Sequence, residues 1–278
     1  GVHLLDVSSD PDHNRTVITF SGEPKSVEHA AFDSIALAAK LINLDRHRGV
    51  HPRIGATDVV PFVPLRDCTM DDCVTLAHNL GKRVGDVLDM PVYLYEYATS
   101  IPERRNLADV RRGGYEHLKL MIGRNRAYDP DFGPARLTPS GGVIIGARKP
   151  LIAFNAFLDT TDVEIAKAIA REIRESSGGL KAVKALGLFV DNRAQVSMNV
   201  VDFQTTGLFT IMQRLNELAS YHGTIITETE LVGLMPQSAL IETALSYLQL
   251  PRSSHEYILE GCIGDATGEY KELLFDNL

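Results

Sequence analysis

The sequence predicts a mixed α/β protein of two ferredoxin-like βαββαβ subdomains with a cleft between them. Three observations carry this expectation. The chain has 278 residues, a length that suits two compact domains better than one. Its second half alternates strand and helix periodicities in the order βαββαβ, the split βαβ signature. Its first half runs ββαβ and then more, the same unit entered at its third element. The expected division falls near Lys149 and Pro150, giving subdomains over residues 1–149 and 150–278. The halves share element order and no visible sequence identity, so a pseudo-repeat rests on order alone.

Taken in order, residues 2–7 read as a strand, a polar SSDPD turn follows, and the β-branched run at 15–20 reads as its hairpin partner. Pro24 opens a helix, the position where its missing N–H costs nothing. Val27, Ala30, Ala31, Ile35, Ala38, Leu41 and Ile42 form that helix's apolar stripe. Gly49, Pro52 and Gly55 break the periodicity over residues 45–55. Residues 58–65 are strand-like, with Pro61 and Pro64 marking an edge or a bulge. Thr69 and Asp72 resemble a capping box for a helix reaching about Leu88, and residues 92–96 form the next strand. One or two helices are expected over 103–120, and a long irregular stretch over 128–142. A loop of that length inside a compact domain suggests ligand binding.

In the second half, strands are expected at 151–158, 186–190, 194–203 and 224–232. Helices are expected at 161–176, capped by Thr161, at 208–221 and at 236–250.

A formal net charge of −8 argues against a nucleic-acid binder, which carries a basic face to meet phosphates. No apolar run is long enough to span a bilayer. Cys68, Cys73 and Cys262 are odd in number and none are spaced as CxxC. Free thiols in a reducing compartment, hence a cytoplasmic protein, are the expectation. No GxGxxG, Walker-type or GxSxG motif is present, which speaks against nucleotide cofactors and serine-hydrolase chemistry.

Chemistry-bearing residues are densest in DRHRGVHPRIGATD, residues 45–58. A solvated basic loop is one reading. The other is a site in which a histidine base sits among guanidinium groups suited to carboxylates. His47 and His51 are four apart, but Gly49 and Pro52 oppose the helix that a metal-binding pair would need, so no metal is expected. DPDHNRT, residues 10–16, is turn chemistry or a second cluster. RAQVSMN, residues 193–199, presents alternating polar side chains to a cleft or to water.

The run DRHRGVHPRIGATDVVPFVPL resembles the central motif of the formiminotransferase family. DPDHNRTV, PVYLYEYA, RRNLADVRRGGYE, PDFGPARLTPSGGVIIGAR, AKAIAREIRESSGGLKAVKALG, QVSMNVVDFQTTGL and ELVGLMP resemble further stretches of it, in order over nearly the whole chain. The resemblance implies two ferredoxin-like subdomains, a homodimer, and transfer of a formimino group between tetrahydrofolate, as co-substrate, and glutamate. It implies that His51 is the catalytic base. It implies folate binding by Gly133, Pro134, Ala135, Arg136, Leu137, Thr138, Pro139, Ser140, Gly141 and Gly142. The family usually opens with a strand and a helix that precede the first residue here, so an incomplete first βαββαβ unit is expected. Asp10 is the candidate stand-in for a family aspartate that aligns with Ser8.

Residue chemistry supplies further candidates. Glutamate carries two carboxylates, which Arg53 and Arg15 are suited to clamp. The migrating group is cationic, and Asp58 and Asp10 are the carboxylates suited to it. Three rivals stand beside this reading: formyl transfer from 5-formyltetrahydrofolate, a non-catalytic folate-binding paralogue, and a ferredoxin-like RNA-binding module.

Overall fold

The computed structural model describes residues 1–11, 14–49, 52–251, 253, 258–268, 273 and 275, without the side chain of Asp10. The chain divides into two compact units at Arg148 and Lys149.

In the first unit, β1 (Val2–Asp10) and β2 (Arg15–Gly22) form an antiparallel hairpin, pairing from Val2 opposite Gly22 to Asp10 opposite Arg15 with a register shift between Leu4 and Asp6. The hairpin is a two-stranded sheet of its own. It exposes Leu4, Leu5, Val7, Val17 and Ile18. α1 (Pro24–Leu41) starts on Pro24 as expected and buries Ala31, Phe32 and Ile35. Its stripe ends early: Leu41 and Ile42 are exposed where the periodicity would bury them.

β3 (Val59–Phe62), β4 (Val92–Glu96) and β5 (Val143–Ala147) form a second, parallel sheet in the order β3-β5-β4. β3 lies at an edge, where Pro61 is tolerated. Thus the described strands of the first unit make a hairpin and a parallel sheet, where a ferredoxin-like unit lacking its leading strand and helix is expected. The central strand β5 is buried at every residue, as strands of a parallel sheet covered on both faces are. Alternation sorts the side chains between two cores. Val92, Leu94, Val143, Ile145 and Ala147 pack with residues of α1 and of α2 (Met70–Leu88). Tyr93, Tyr95 and Ile144 pack on the other face with Ile54, Leu118 and Ile122.

α2 begins with the expected capping box: the Thr69 hydroxyl accepts from the Asp72 amide, and the Asp72 carboxylate accepts from the Thr69 amide. The flanking Cys68 and Cys73 bring their sulfurs to 3.8 Å at the positions of a hydrophobic staple. Residues 102–121 fold as a 3-10 turn at Pro102–Arg104, α3 (Leu107–Val110) and α4 (Gly114–Met121).

The second unit follows the sequence closely. β6 (Ile152–Leu158), α5 (Val163–Ile173), β7 (Val183–Val190), β8 (Arg193–Val200), α6 (Leu208–Tyr221) and β9 (Ile226–Val232) spell βαββαβ. The strands pair antiparallel in the order β7-β8-β6-β9, the ferredoxin-like arrangement. Asp191 and Asn192, both with positive φ, make the two-residue turn between β7 and β8. The cap of α5 is Asp162, one residue beyond the expected Thr161; its carboxylate accepts from the Glu164 amide. α7 (Gln237–Tyr247) and α8 (Leu259–Thr267) follow. Among the described residues, no helix is long and apolar enough to cross a membrane.

Candidate active site

The loop that the sequence marks as densest in functional side chains is tied down on three sides. Its entrance turns back on Asn43, whose side chain accepts from the Asp45 amide at 2.9 Å and whose carbonyl accepts from the His47 amide at 3.0 Å. His51 and Val50 lie outside the described residues.

The first tie is to the hairpin turn. His47 Nε2 lies 2.9 Å from the Asn14 carbonyl. A carbonyl only accepts, so this nitrogen carries the proton, and in the neutral ring Nδ1 is left as an acceptor. Asn14 returns a bond from its amide to the Arg48 carbonyl at 2.7 Å. Two clusters 34 residues apart are thereby brought together. Asp12 and His13 of that turn, and the side chain of Asp10, are outside the described residues. Arg15 opens β2 with an exposed side chain.

The second tie is to residues 133–142. The Leu44 amide donates to the Pro139 carbonyl at 2.7 Å, the Ala56 amide to Ser140 at 2.8 Å, and the Gly142 amide to Ile54 at 3.0 Å. Gly55 and Gly141 form the bridge at the centre. The two stretches singled out as base-bearing and folate-binding are therefore zipped along their backbones. Residues 133–142 are themselves fixed at both ends. Gly133 sits at φ +78° against the Gly85 backbone of α2, and Asp131 accepts from the Leu94 amide and from Arg104 at 2.8 and 2.6 Å. Arg136 pairs with Asp89, and the Thr138 and Ser140 hydroxyls are hydrogen-bonded at 2.7 Å. Leu137, expected to cover a ring of the ligand, packs against the cluster of Ile54, Tyr93 and Tyr95.

The third tie was not legible in the sequence. Arg111 pairs with Asp58 at 2.5 Å, and Glu116 takes both terminal nitrogens of Arg53 at 2.9 and 3.2 Å. Arg53 also donates to the His47 carbonyl at 3.1 Å, and its own carbonyl accepts from the Tyr115 amide at 2.7 Å. Asp45 accepts from the Tyr115 hydroxyl and from Lys119 at 2.9 and 2.6 Å. Gly113 and Gly114 both have positive φ and swing Tyr115–Lys119 back toward the loop. That glycine pair was the available signal, seen only as part of RRGGYE. The ion pairs tune their members: the Lys119 ammonium and the Tyr115 hydroxyl hold Asp45 below the ordinary carboxylate range, and Arg53 does the same for Glu116.

These ties alter what the candidate residues are free to do. Asp58 was expected to meet the migrating cation. Both its oxygens are engaged, Oδ1 by the Ile54 amide at 2.7 Å and Oδ2 by Arg111. The fork of Arg53 is held by Glu116, while its Nε is buried without a hydrogen-bond partner among the described residues. Arg111 Nε and His47 Nδ1 share that condition. In the second unit, the polar run of β8 divides: Gln195 is buried, Asn199 is exposed, and the adjacent Asn155 donates to Glu230 at 3.0 Å. Among the described residues no group of three or more His, Cys, Asp or Glu is placed to hold a metal.

The sequence that folds into this hairpin, parallel sheet and ferredoxin-like unit matches family models in both halves. Residues 1–148 match the formiminotransferase domain, N-terminal subdomain, and residues 153–260 match the formiminotransferase domain. The chain belongs to the formiminotransferase family. It is 46% identical to a glutamate formimidoyltransferase of Thermoplasma acidophilum, over 93% of this chain and 86% of that protein. It is 42% identical to a glutamate formimidoyltransferase of Streptococcus pyogenes serotype M1, over 94% of this chain and 88% of that protein. It is also 42% identical to the formimidoyltransferase-cyclodeaminase of Sus scrofa, over 90% of this chain and 47% of that protein.

Proposed function

We infer that this chain is a one-carbon transferase, a glutamate formimidoyltransferase. It moves a formimino group between tetrahydrofolate and L-glutamate, with N-formimino-L-glutamate and 5-formiminotetrahydrofolate as the loaded partners. Family membership supports the activity. The observation that carries the site is the backbone zipper through Gly55 and Gly141. It joins the stretch proposed to bear the base to the stretch proposed to bind folate.

In the proposed chemistry the amine of glutamate attacks the sp² formimino carbon. At neutral pH that amine is an ammonium and cannot attack until it loses a proton. His51 takes the proton, since imidazole has an ordinary pKa of about 6.5. A tetrahedral intermediate forms, the attacking nitrogen loses its second proton to solvent, and the imidazolium returns the first to folate N5 as the C–N5 bond breaks. Arg53 and Arg15 bind the carboxylates of glutamate, Arg53 offering its Nε, which has no partner among the described residues, while Glu116 holds the fork. Asp10 is the carboxylate left to face the migrating cation. Asp58 acts from behind, fixing Arg111 and the loop. Residues 133–142 contact the folate. The reaction needs no metal.

This activity suits histidine breakdown and one-carbon metabolism in the cytoplasm. A homodimer is part of the reading. Its support is the β1–β2 hairpin, which pairs with no other described strand and exposes Leu4, Leu5, Val7, Val17 and Ile18. The test is His51→Ala assayed for formimino transfer. Turnover should fall by about 10²–10⁴-fold, the worth of a general base, while folate still binds. Near-normal turnover would remove His51 from this role.

A further inference from the structure

We propose that Arg111 and Glu116 are positioning residues of the transfer reaction, acting through Asp58 and Arg53 on the loop whose His51 is read as the base. This rests on the reading of His51 given above. Neither residue belongs to the loop, and neither was singled out by its own chemistry.

The argument begins with what an unrestrained loop of this composition would do. Residues 45–55 hold two glycines and a proline, and those of them that are described belong to no helix or strand. Left to itself such a segment samples many conformations, and fixing each residue costs about 1–2 kcal/mol. A base must meet its proton within hydrogen-bond reach, and a misplacement of about 1 Å lowers rate by about 10²-fold. The loop therefore needs anchors close to the base in sequence. Arg53 is two residues beyond His51 and Asp58 is seven.

The Arg111–Asp58 anchor has restricted water access, its side chains 16% and 19% exposed. In the other anchor Arg53 is 16% exposed and Glu116 61%, so that pair is held by its two-point geometry more than by burial. Glu116 grips Arg53 with both carboxylate oxygens, a geometry that fixes the guanidinium plane as well as its distance. The Arg53 guanidinium then donates to the His47 carbonyl at 3.1 Å, so one side chain spans the two flanks of the segment that contains His51. The Tyr115 amide fixes the Arg53 backbone from the same helix that supplies Glu116. α4 thus holds the main chain and the side chain of Arg53 together.

Positioning and plain stabilisation make different predictions, and a double-mutant cycle separates them. Glu116→Gln keeps the size but removes the charge and replaces one of the two acceptor oxygens with a donor. It should lower kcat by about 10- to 100-fold. Folate should still bind at one site per chain with its KM changed by less than about threefold, while KM for glutamate rises, because Arg53, proposed to bind its carboxylates, loses its partner. A merely unfolded fraction would lower the binding stoichiometry instead. Combined with His51→Ala, Glu116→Gln should add no further loss of kcat, because the group it positions is gone. Arg111→Lys keeps the charge, loses the planar fork, and should lower kcat in the same way. Arg112→Ala is the control. Its side chain is 80% exposed and pairs with Asp109 one turn away, so activity should not change. If His51→Ala is slow and Glu116→Gln keeps kcat within about twofold, or the two losses multiply, the positioning inference alone fails. If His51→Ala itself keeps near-normal turnover, the base reading fails, and a role exerted through His51 falls with it.

Discussion

Gly55 and Gly141 face each other with no room for a side chain on either. A β-carbon on Gly55 would lie 1.7 Å from the Gly142 carbonyl oxygen, and one on Gly141 would lie 2.2 Å from that of Ile54. Gly141 also adopts φ +77°, which residues with side chains rarely take. The contact is backbone on backbone, so no rotamer change relieves the clash. The two loops of the site meet this closely because both positions are glycine.

Substitution at either position should force the loops apart. Gly55→Ala and Gly141→Ala are expected to reduce folate affinity and turnover together, by about 10-fold or more, and to lower stability by about 1–3 kcal/mol. Folate titration with chemical denaturation of the same samples checks this. Wild-type affinity in both variants would show that the zipper does not shape the ligand site.

The buried pair beside the stretch proposed to bind folate should matter more to stability than any surface pair. Asp131 accepts from Arg104 and from the Leu94 amide, and Arg104 also donates to the Asp129 carbonyl at 2.5 Å. The side chains are 10% and 19% exposed for Arg104 and Asp131. Asp131→Ala leaves a buried guanidinium without its counter-ion, which costs about 3–5 kcal/mol. Denaturant unfolding should show a loss of that order. A loss below about 1 kcal/mol, the range of an exposed pair, would contradict the account.

Acid should destabilise the first unit through carboxylates that the fold holds ionised. Arg53 lowers the pKa of Glu116 from its ordinary 4.5, and Lys119 with Tyr115 lowers that of Asp45 from 3.8. The Thr69 hydroxyl and amide lower that of Asp72 from 3.8. A carboxyl with a depressed folded pKa binds its proton more readily in the unfolded chain. Its contribution is present above the unfolded value and is lost as pH falls through the folded one. The thermal midpoint should hold between about pH 7 and 5 and fall below about pH 4. Glu116→Gln should flatten part of that fall. A midpoint that rises on acidification would reverse the sign of the argument.

The second unit was legible because its helices and strands carry full-length periodic patterns. The amphipathic α5 and α6 and the alternating β8 fix element type and order without tertiary information. In the first unit β5 escaped notice. Its sequence, VIIGA, is a five-residue apolar run with no alternation, since both its faces are covered. It also follows a long irregular stretch that drew attention to function. Pairing was the least legible feature. Nothing local in the sequence says that β3, β4 and β5 run parallel apart from the hairpin. The site was half readable. Residues 45–58 stand out by composition and 128–142 as a long irregular stretch, within which the family resemblance picks out 133–142, but the zipper between them is a tertiary fact. The same holds for Arg111 and Glu116, which meet their partners 53 and 63 positions away.

The most direct test of the account is the position of folate. It is measured as the distance from the pterin ring to residues 133–142 in a structure of the protein with tetrahydrofolate bound. The zipped-loop site predicts ring atoms in contact, within about 4.5 Å of these residues. A pterin bound elsewhere on the protein, beyond contact with every one of them, would contradict it.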